Sequence, residues 1–358
     1  MIDPDRPGPG VMRERSMATQ SITATTSEDI EHSIAEVGAC RLRMRESFAK
    51  VIVGQDEVLD ELLITIFAGG HNLLEGVPGL AKTLMINTLA RMLSLDFQRI
   101  QFTPDLMPSD IVGMNIIEED HTTGKRVTVF VPGPVFTNVV LADEINRTPP
   151  KTQSALLQAM QEKEVTAGGK TYELAPPFFV LATQNPIDQE GTYPLPEAQK
   201  DRFLLNTMIG YPTAEQEQQI VDRTTTNESH EVATACDRAQ LLSYQKVVRS
   251  IPVSPHVTAY AVDLARATRP NEPDSADFVR EQVGWGAGPR ASQALVLCAK
   301  SRAALTGRIN VSCEDVRQMA RPVLRHRILP SFVAEAEGVT ADAIIERLLE
   351  HVVERTGE

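Results

Sequence analysis

The sequence predicts a three-layer α/β domain built on a parallel five-stranded sheet, followed by a small all-α domain. Three observations predict it. Apolar runs without polar alternation, the mark of strands covered on both faces, recur between residues 70 and 210 and are separated by helical patterns. The first run, Leu73-Leu74-Glu75, leads into Gly76-Val77-Pro78-Gly79-Leu80-Ala81-Lys82-Thr83, the strand–loop–helix layout of a phosphate-binding loop. From Thr213 onward the pattern turns wholly helical.

Taken in order, residues 1–25 are Pro, Gly, Ser, Thr and charge without periodicity, the composition of a disordered tail. Thr26-x-x-Asp29 then opens a helix in the manner of a capping box, with Ile30, Ile34, Val37, Leu42 and Phe48 recurring on one face. Val51-Ile52-Val53-Gly54-Gln55 breaks that pattern. Beyond the loop, Leu84–Leu93 is amphipathic and Asp96–Phe102 is a second strand. Residues 111–117 and 125–131 read as a hairpin joined by Glu118–Gly124, and Gly168-Gly169 sits at the turn of another between Glu164 and Leu174. Asn138–Glu144, Phe178–Thr183 and Leu204–Ile209 are the remaining strands, and Thr148–Glu162 is a helix with prolines in its first turn. Helices follow near 213–223, 237–250, 255–268, 289–306, 313–328 and 340–354, and the lone Trp285 reads as a packing anchor.

The chemistry gathers at strand ends, where ligands of parallel sheets bind. In the loop, Lys82 would reach the β- and γ-phosphates and the Thr83 hydroxyl would ligate Mg²⁺. The usual pattern is G-x-x-x-x-G-K-[ST], and Ala81 stands where its last Gly is expected. Asp143 closes a buried strand and would hold Mg²⁺ through water, with Glu144 orienting and polarising the attacking water. Asn185 ends the next strand; it either places an amide against the γ-phosphate or serves as an Asn-Pro turn residue. Arg290 lies in the first turn of a helix, where a cation opposes the dipole and needs a compensating partner, either a phosphate or a carboxylate.

Gly76–Thr83, Leu141-Ala-Asp-Glu-Ile-Asn-Arg-Thr-Pro-Pro150, Ala182-Thr-Gln-Asn-Pro186 and Tyr193–Phe203 together closely resemble the MoxR branch of the AAA+ ATPases, and the likeness runs from about Val53 to about Arg325. In that branch alanine before the loop lysine is usual. The resemblance implies a P-loop AAA+ core over residues 26–211, with a helix-2-insert hairpin, and an α-helical lid domain over 212–358. It implies ATP and Mg²⁺ as ligands. Val53, Gly54, Gly76, Val77, Pro78, Gly79, Leu80, Ala81, Lys82, Thr83 and Leu84 would hold the nucleotide, and Thr83 and Asp143 the metal. Arg202 would be the arginine finger of a neighbouring subunit, and Arg290 the second sensor arginine acting in cis. A homo-hexamer is implied, remodelling or maturing protein complexes in a chaperone-like way, metal or cofactor insertion included. A partner with a von Willebrand factor A domain would be a separate chain, since no D-x-S-x-S motif occurs here.

Composition bounds the alternatives. A net charge of −13 argues against nonspecific nucleic-acid binding, and the first hairpin carries Glu118, Glu119 and Asp120 against Lys125 and Arg126. That disfavours a helicase-like motor; a magnesium-chelatase-type ATPase subunit is the other reading. Cys40, Cys236, Cys298 and Cys313 read as reduced core residues of a cytoplasmic protein, and no apolar run is long enough to span a bilayer.

Overall fold

The computed structural model describes residues 27–119, 125–185, 192–226 and 231–354. The tail and the tip of the first hairpin, both read from the sequence, lie outside them. Two helices come first, α1 (Ser27–Ala49) and α2 (Asp56–Ala68). The α/β part then runs β1 (Asn72–Glu75), α3 (Lys82–Met92), β2 (Phe97–Gln101), α4 (Pro108–Val112), β3 (Gly113–Glu119), β4 (Arg126–Pro132), β5 (Val139–Asp143), α5 (Pro150–Glu162), β6 (Glu164–Ala167), β7 (Lys170–Glu173), β8 (Phe179–Gln184), α6 (Glu197–Lys200) and β9 (Leu205–Met208).

Five strands form one sheet in the order β2-β5-β8-β1-β9, and every pairing in it is parallel. Side chains alternate between its faces. Leu74, Leu141, Phe179, Leu181 and Leu205 point into a core shared with α1, α2 and α3. Leu73, Val140, Ala142, Val180 and Ala182 pack on the other side with Leu156 and Leu157 of α5. The hairpins β3–β4 and β6–β7 stand apart from the sheet as separate antiparallel ribbons. They lean on each other: Phe130 stacks on Tyr172 with ring centroids 4.2 Å apart.

The helical part comprises α7 (Ala214–Thr224), α8 (Arg238–Ser250), α9 (Pro255–Ala267), α10 (Asp277–Gln282), α11 (Pro289–Leu305), α12 (Cys313–Leu324), α13 (Phe332–Ala336) and α14 (Ala341–His351). Capping boxes start three of them, Thr213/Gln216, Asp237/Gln240 and Ser312/Asp315. Its apolar interior is continuous with the face of the sheet that α1, α2 and α3 cover, since residues of α8, α9, α11 and α12 join the same buried cluster.

Three expectations are corrected. The C-terminal part is not wholly helical, because β10 (Val283–Trp285) and β11 (Leu329–Pro330) pair antiparallel. Trp285 is not a packing anchor: it is 70% exposed on that ribbon, whose Val283 is the residue buried in the core. On α1, Leu42 is 59% exposed, and Cys40 and Met44 take the buried positions instead. All four cysteines are buried and free, as the sequence suggested.

Candidate functional site

The cleft opens where β5, β8 and β1, three adjacent parallel strands, all end. It holds about 460 Å³ and is lined by Pro78–Leu84, Arg99, Gln101, Asp143, Glu144 and Asn185. The loop's shape follows from its residues. Gly76 is pressed against the end of β9, where a Cβ would meet the Ile209 carbonyl at 2.8 Å, so no larger residue fits. Gly79 adopts φ +90° and faces open space, leaving its backbone accessible to a ligand. Ala81 caps α3 in the left-handed region at φ 53°, ψ 24°, which is the physical reason a glycine is usual there. For alanine that conformation costs about 1 kcal/mol. Lys82 is the first helical residue, and its Nζ donates to the Gly76 carbonyl at 2.5 Å. Burial lowers the ammonium's pKa, while Asp143 and Glu144 act in the opposite sense.

At the end of β5 both carboxylates are engaged. Asp143 Oδ1 accepts from the Thr183 hydroxyl at 2.6 Å, and Oδ2 accepts from Arg99 Nη2 at 2.6 Å and Nε at 3.0 Å. Thr183 Oγ1 in turn accepts from the Glu144 N–H at 2.8 Å, tying β8 to the turn after β5. Glu144 is itself left-handed, at φ 56°, ψ 50°. Its Oε2 accepts from Gln101 Nε2 at 3.1 Å and from Arg147 Nη1 at 2.9 Å. Ala81 and Glu144 thus bring two left-handed non-glycine residues to the cleft, while Gln55, Ser94 and Lys163 adopt the same region away from it.

The cleft therefore brings together the loop residues from Pro78 onward, Lys82, Thr83, Leu84, Asp143, Glu144 and Asn185. Gly76 and Val77 precede its rim. The Val53-Gly54 turn does not line it. That turn sits behind, with Gly54 against Gln216 and Gln55 Nε2 bonded to the Gly210 carbonyl at 3.1 Å. Thr83 and Asp143 offer a hydroxyl and a carboxylate, hard oxygen donors suited to Mg²⁺, and the exposed loop backbone suits phosphate.

Two predicted arginines lie elsewhere. Arg290 is compensated by a core carboxylate, Asp201, at 3.5 Å. Arg202 pairs with none of the described residues; its neighbour Asp201 is committed to Arg290 and Arg327 instead. Arg327, just beyond α12, is 3% exposed and was not singled out from the sequence. Its guanidinium donates to Asp201 Oδ1 at 2.8 Å and to the Phe203 carbonyl at 2.7 Å, clasping the segment that carries Arg202. Arg99, Gln101 and Thr183 were missed as well. The available signal was Arg99 and Gln101 at i and i+2, two polar residues on one face of a strand.

Among the described residues no helix is long and apolar enough to cross a membrane, and no cluster of His, Cys, Asp and Glu forms a multi-ligand metal site.

Comparison with known proteins gives concordant results. Residues 71–205 match the ATPase family associated with various cellular activities, and residues 275–348 match the AAA lid domain. Chaperone MoxR1 of Mycobacterium tuberculosis is 43% identical over 305 residues, covering 85% of this chain and 79% of its own. The protein MoxR of Methylorubrum extorquens is 32% identical over 80% of this chain and 86% of its own. A crystal structure of a protein from Cytophaga hutchinsonii superposes with a TM-score of 0.85 at 42% identity, covering 92% of this chain and 99% of that one. With its α/β core, helical lid and strand-end cleft, this chain belongs to the MoxR-type AAA+ ATPases.

Proposed function

We propose that this chain hydrolyses ATP in the cytoplasm as a hexameric ring and uses the cycle to remodel other protein complexes. The observation that carries the reading is the convergence of Lys82, Thr83, Asp143, Glu144 and Asn185 on one cleft at the carboxyl edge of the sheet. The loop backbone and Lys82 bind the phosphates. Thr83 and Asp143 hold Mg²⁺, which neutralises charge on the phosphate oxygens when bound. Glu144 orients the attacking water and draws on its proton, and Asn185 steadies the same water and the γ-phosphate. Arg202, without a partner among the described residues, reaches the site of the next subunit. Arg290 turns to the γ-phosphate of its own subunit by exchanging Asp201 for it. The chaperone name carried by the Mycobacterium tuberculosis relative supports remodelling as the output. A separate chain with a von Willebrand factor A domain is the expected partner, and insertion of a metal or cofactor is one form the remodelling takes.

Glu144→Gln tests the reading, because the amide keeps the shape and loses the charge. The variant should bind a fluorescent ATP analogue as the wild type does and lose turnover by about 10²-fold or more. Unchanged hydrolysis would assign the lytic role to another residue.

A further inference from the structure

Asp143 is the residue on which the metal reading depends, and both of its oxygens accept hydrogen bonds from side chains. Oδ1 is held by Thr183, which is fully buried on β8 and fixed a second time by the Glu144 N–H. Oδ2 is held by the fork of Arg99, through both Nη2 and Nε. A cation held at Asp143, directly or through a water ligand, competes with the charged donor on Oδ2 rather than with the neutral hydroxyl on Oδ1. Thr183 cannot withdraw, since its hydroxyl sits on the backbone of an inner strand and closes two bonds at once. Arg99 can. It lies on β2, at the sheet's edge, is 47% exposed, and has a long side chain with Gln101 Oε1 2.5 Å from Nη2 as a second resting point.

We propose that Arg99 is a stand-in cation at the metal position, holding Asp143 until Mg²⁺ arrives with the nucleotide and expels it. The inference rests on the cleft being the ATP site and adds a gate to it. A free metal ion offers Asp143 and Thr83 too few bonds to repay the loss of the guanidinium. A metal ion already carried on phosphate oxygens brings its remaining ligands with it. Arg99 thus makes metal binding conditional on nucleotide, and keeps Asp143 neutralised beside Glu144 at other times. Arg99 acts through Asp143 and is a positioning residue.

The test compares nucleotide affinity with and without Mg²⁺, using a fluorescent ADP analogue titrated into the full-length wild type, Arg99→Gln and Arg99→Lys, once in EDTA and once in excess Mg²⁺. The readout is the ratio of the two affinities, which a general loss of structure or of phosphate affinity leaves unmoved. For a half-exposed ion pair the ratio should rise roughly five-fold in Arg99→Gln. It should rise less in Arg99→Lys, which keeps the charge and loses the fork. An unchanged or smaller ratio in Arg99→Gln, with the wild type binding normally, overturns the gate alone. Should the glutamine variant not fold, an unchanged ratio in Arg99→Lys overturns it equally. A wild type that binds no nucleotide under either condition overturns the site and the gate together.

Discussion

Breaking the clasp between Arg327 and Asp201 should be costly, and unequally so from its two ends. Arg327 is 3% exposed and Asp201 is 29% exposed, so the guanidinium is nearly sealed and the carboxylate is not. Asp201→Asn leaves a buried cation whose remaining acceptors are the carbonyls of Phe203, Leu204, Val323 and Asp201. Burial already pushes this guanidinium's pKa down, with Asp201 opposing the shift, so losing the countercharge exposes the full desolvation penalty. Removing one partner of a buried pair costs about 3–5 kcal/mol, and about 4 kcal/mol is expected here. Arg327→Met leaves a carboxylate that still faces Arg290 and water, so about 2–3 kcal/mol is expected. The double variant should cost less than the sum by at least ~1 kcal/mol, because each lesion removes the reason for the other. Chemical denaturation with guanidinium chloride, read by tryptophan fluorescence and circular dichroism, measures all three. Additive losses, or losses below ~0.5 kcal/mol in both single variants, would show that the pair behaves as an ordinary surface salt bridge and refute the reasoning.

Two further outcomes are expected. Lys82→Ala and Arg202→Ala should each lack ATP turnover, yet an equimolar mixture re-assembled by subunit exchange should regain activity above the sum of the two. Proven exchange without recovery would return Arg202 to a structural role. Glu61 is the second case: burial raises its carboxyl to about 7, and its Oε2 is sealed without a hydrogen-bond partner. The folded chain therefore holds that proton more tightly than the unfolded chain, and this residue's contribution to stability falls as pH rises from the unfolded value toward 7. Glu61→Gln should raise stability at pH 8 by up to about 3 kcal/mol and change it little near pH 4.5, as urea midpoints at the two pH values would show. A gain of equal size at both pH values would contradict the buried-carboxyl account.

Much of this architecture was legible because strands covered on both faces write themselves as unbroken apolar runs, as in Val139-Val140-Leu141-Ala142. The site was legible where its residues abut such runs, and so Lys82, Asp143 and Asn185 could be placed from the chain alone. What stayed hidden depends on who lies beside whom. Arg99 reaches Asp143 across 44 positions and Arg327 reaches Asp201 across 126, and no local pattern encodes either meeting. The stretch from Asp277 to Trp285 escaped for another reason: a six-residue helix and a three-residue strand are too short to show a period. Trp285 misled because aromatic area is usually buried, while here Val283 takes the strand's buried position and Trp285 is left exposed.

The apolar cluster that joins α1 and α2 to the C-terminal helices also imposes an order of events during synthesis. Those two helices leave the ribosome first, yet their inner faces, among them Val37, Leu62 and Phe67, close against helices encoded far downstream. The bond from the Ser301 hydroxyl to the Ile64 carbonyl spans 237 residues. At ordinary elongation rates that separation is a wait of roughly 10–50 s with sticky surface uncovered. During that wait the inner faces of α1 and α2 have only each other and the α/β part to pack against. Premature termination before α8 leaves that surface without any of its C-terminal helical cover, and termination between α8 and α11 leaves it only partly covered.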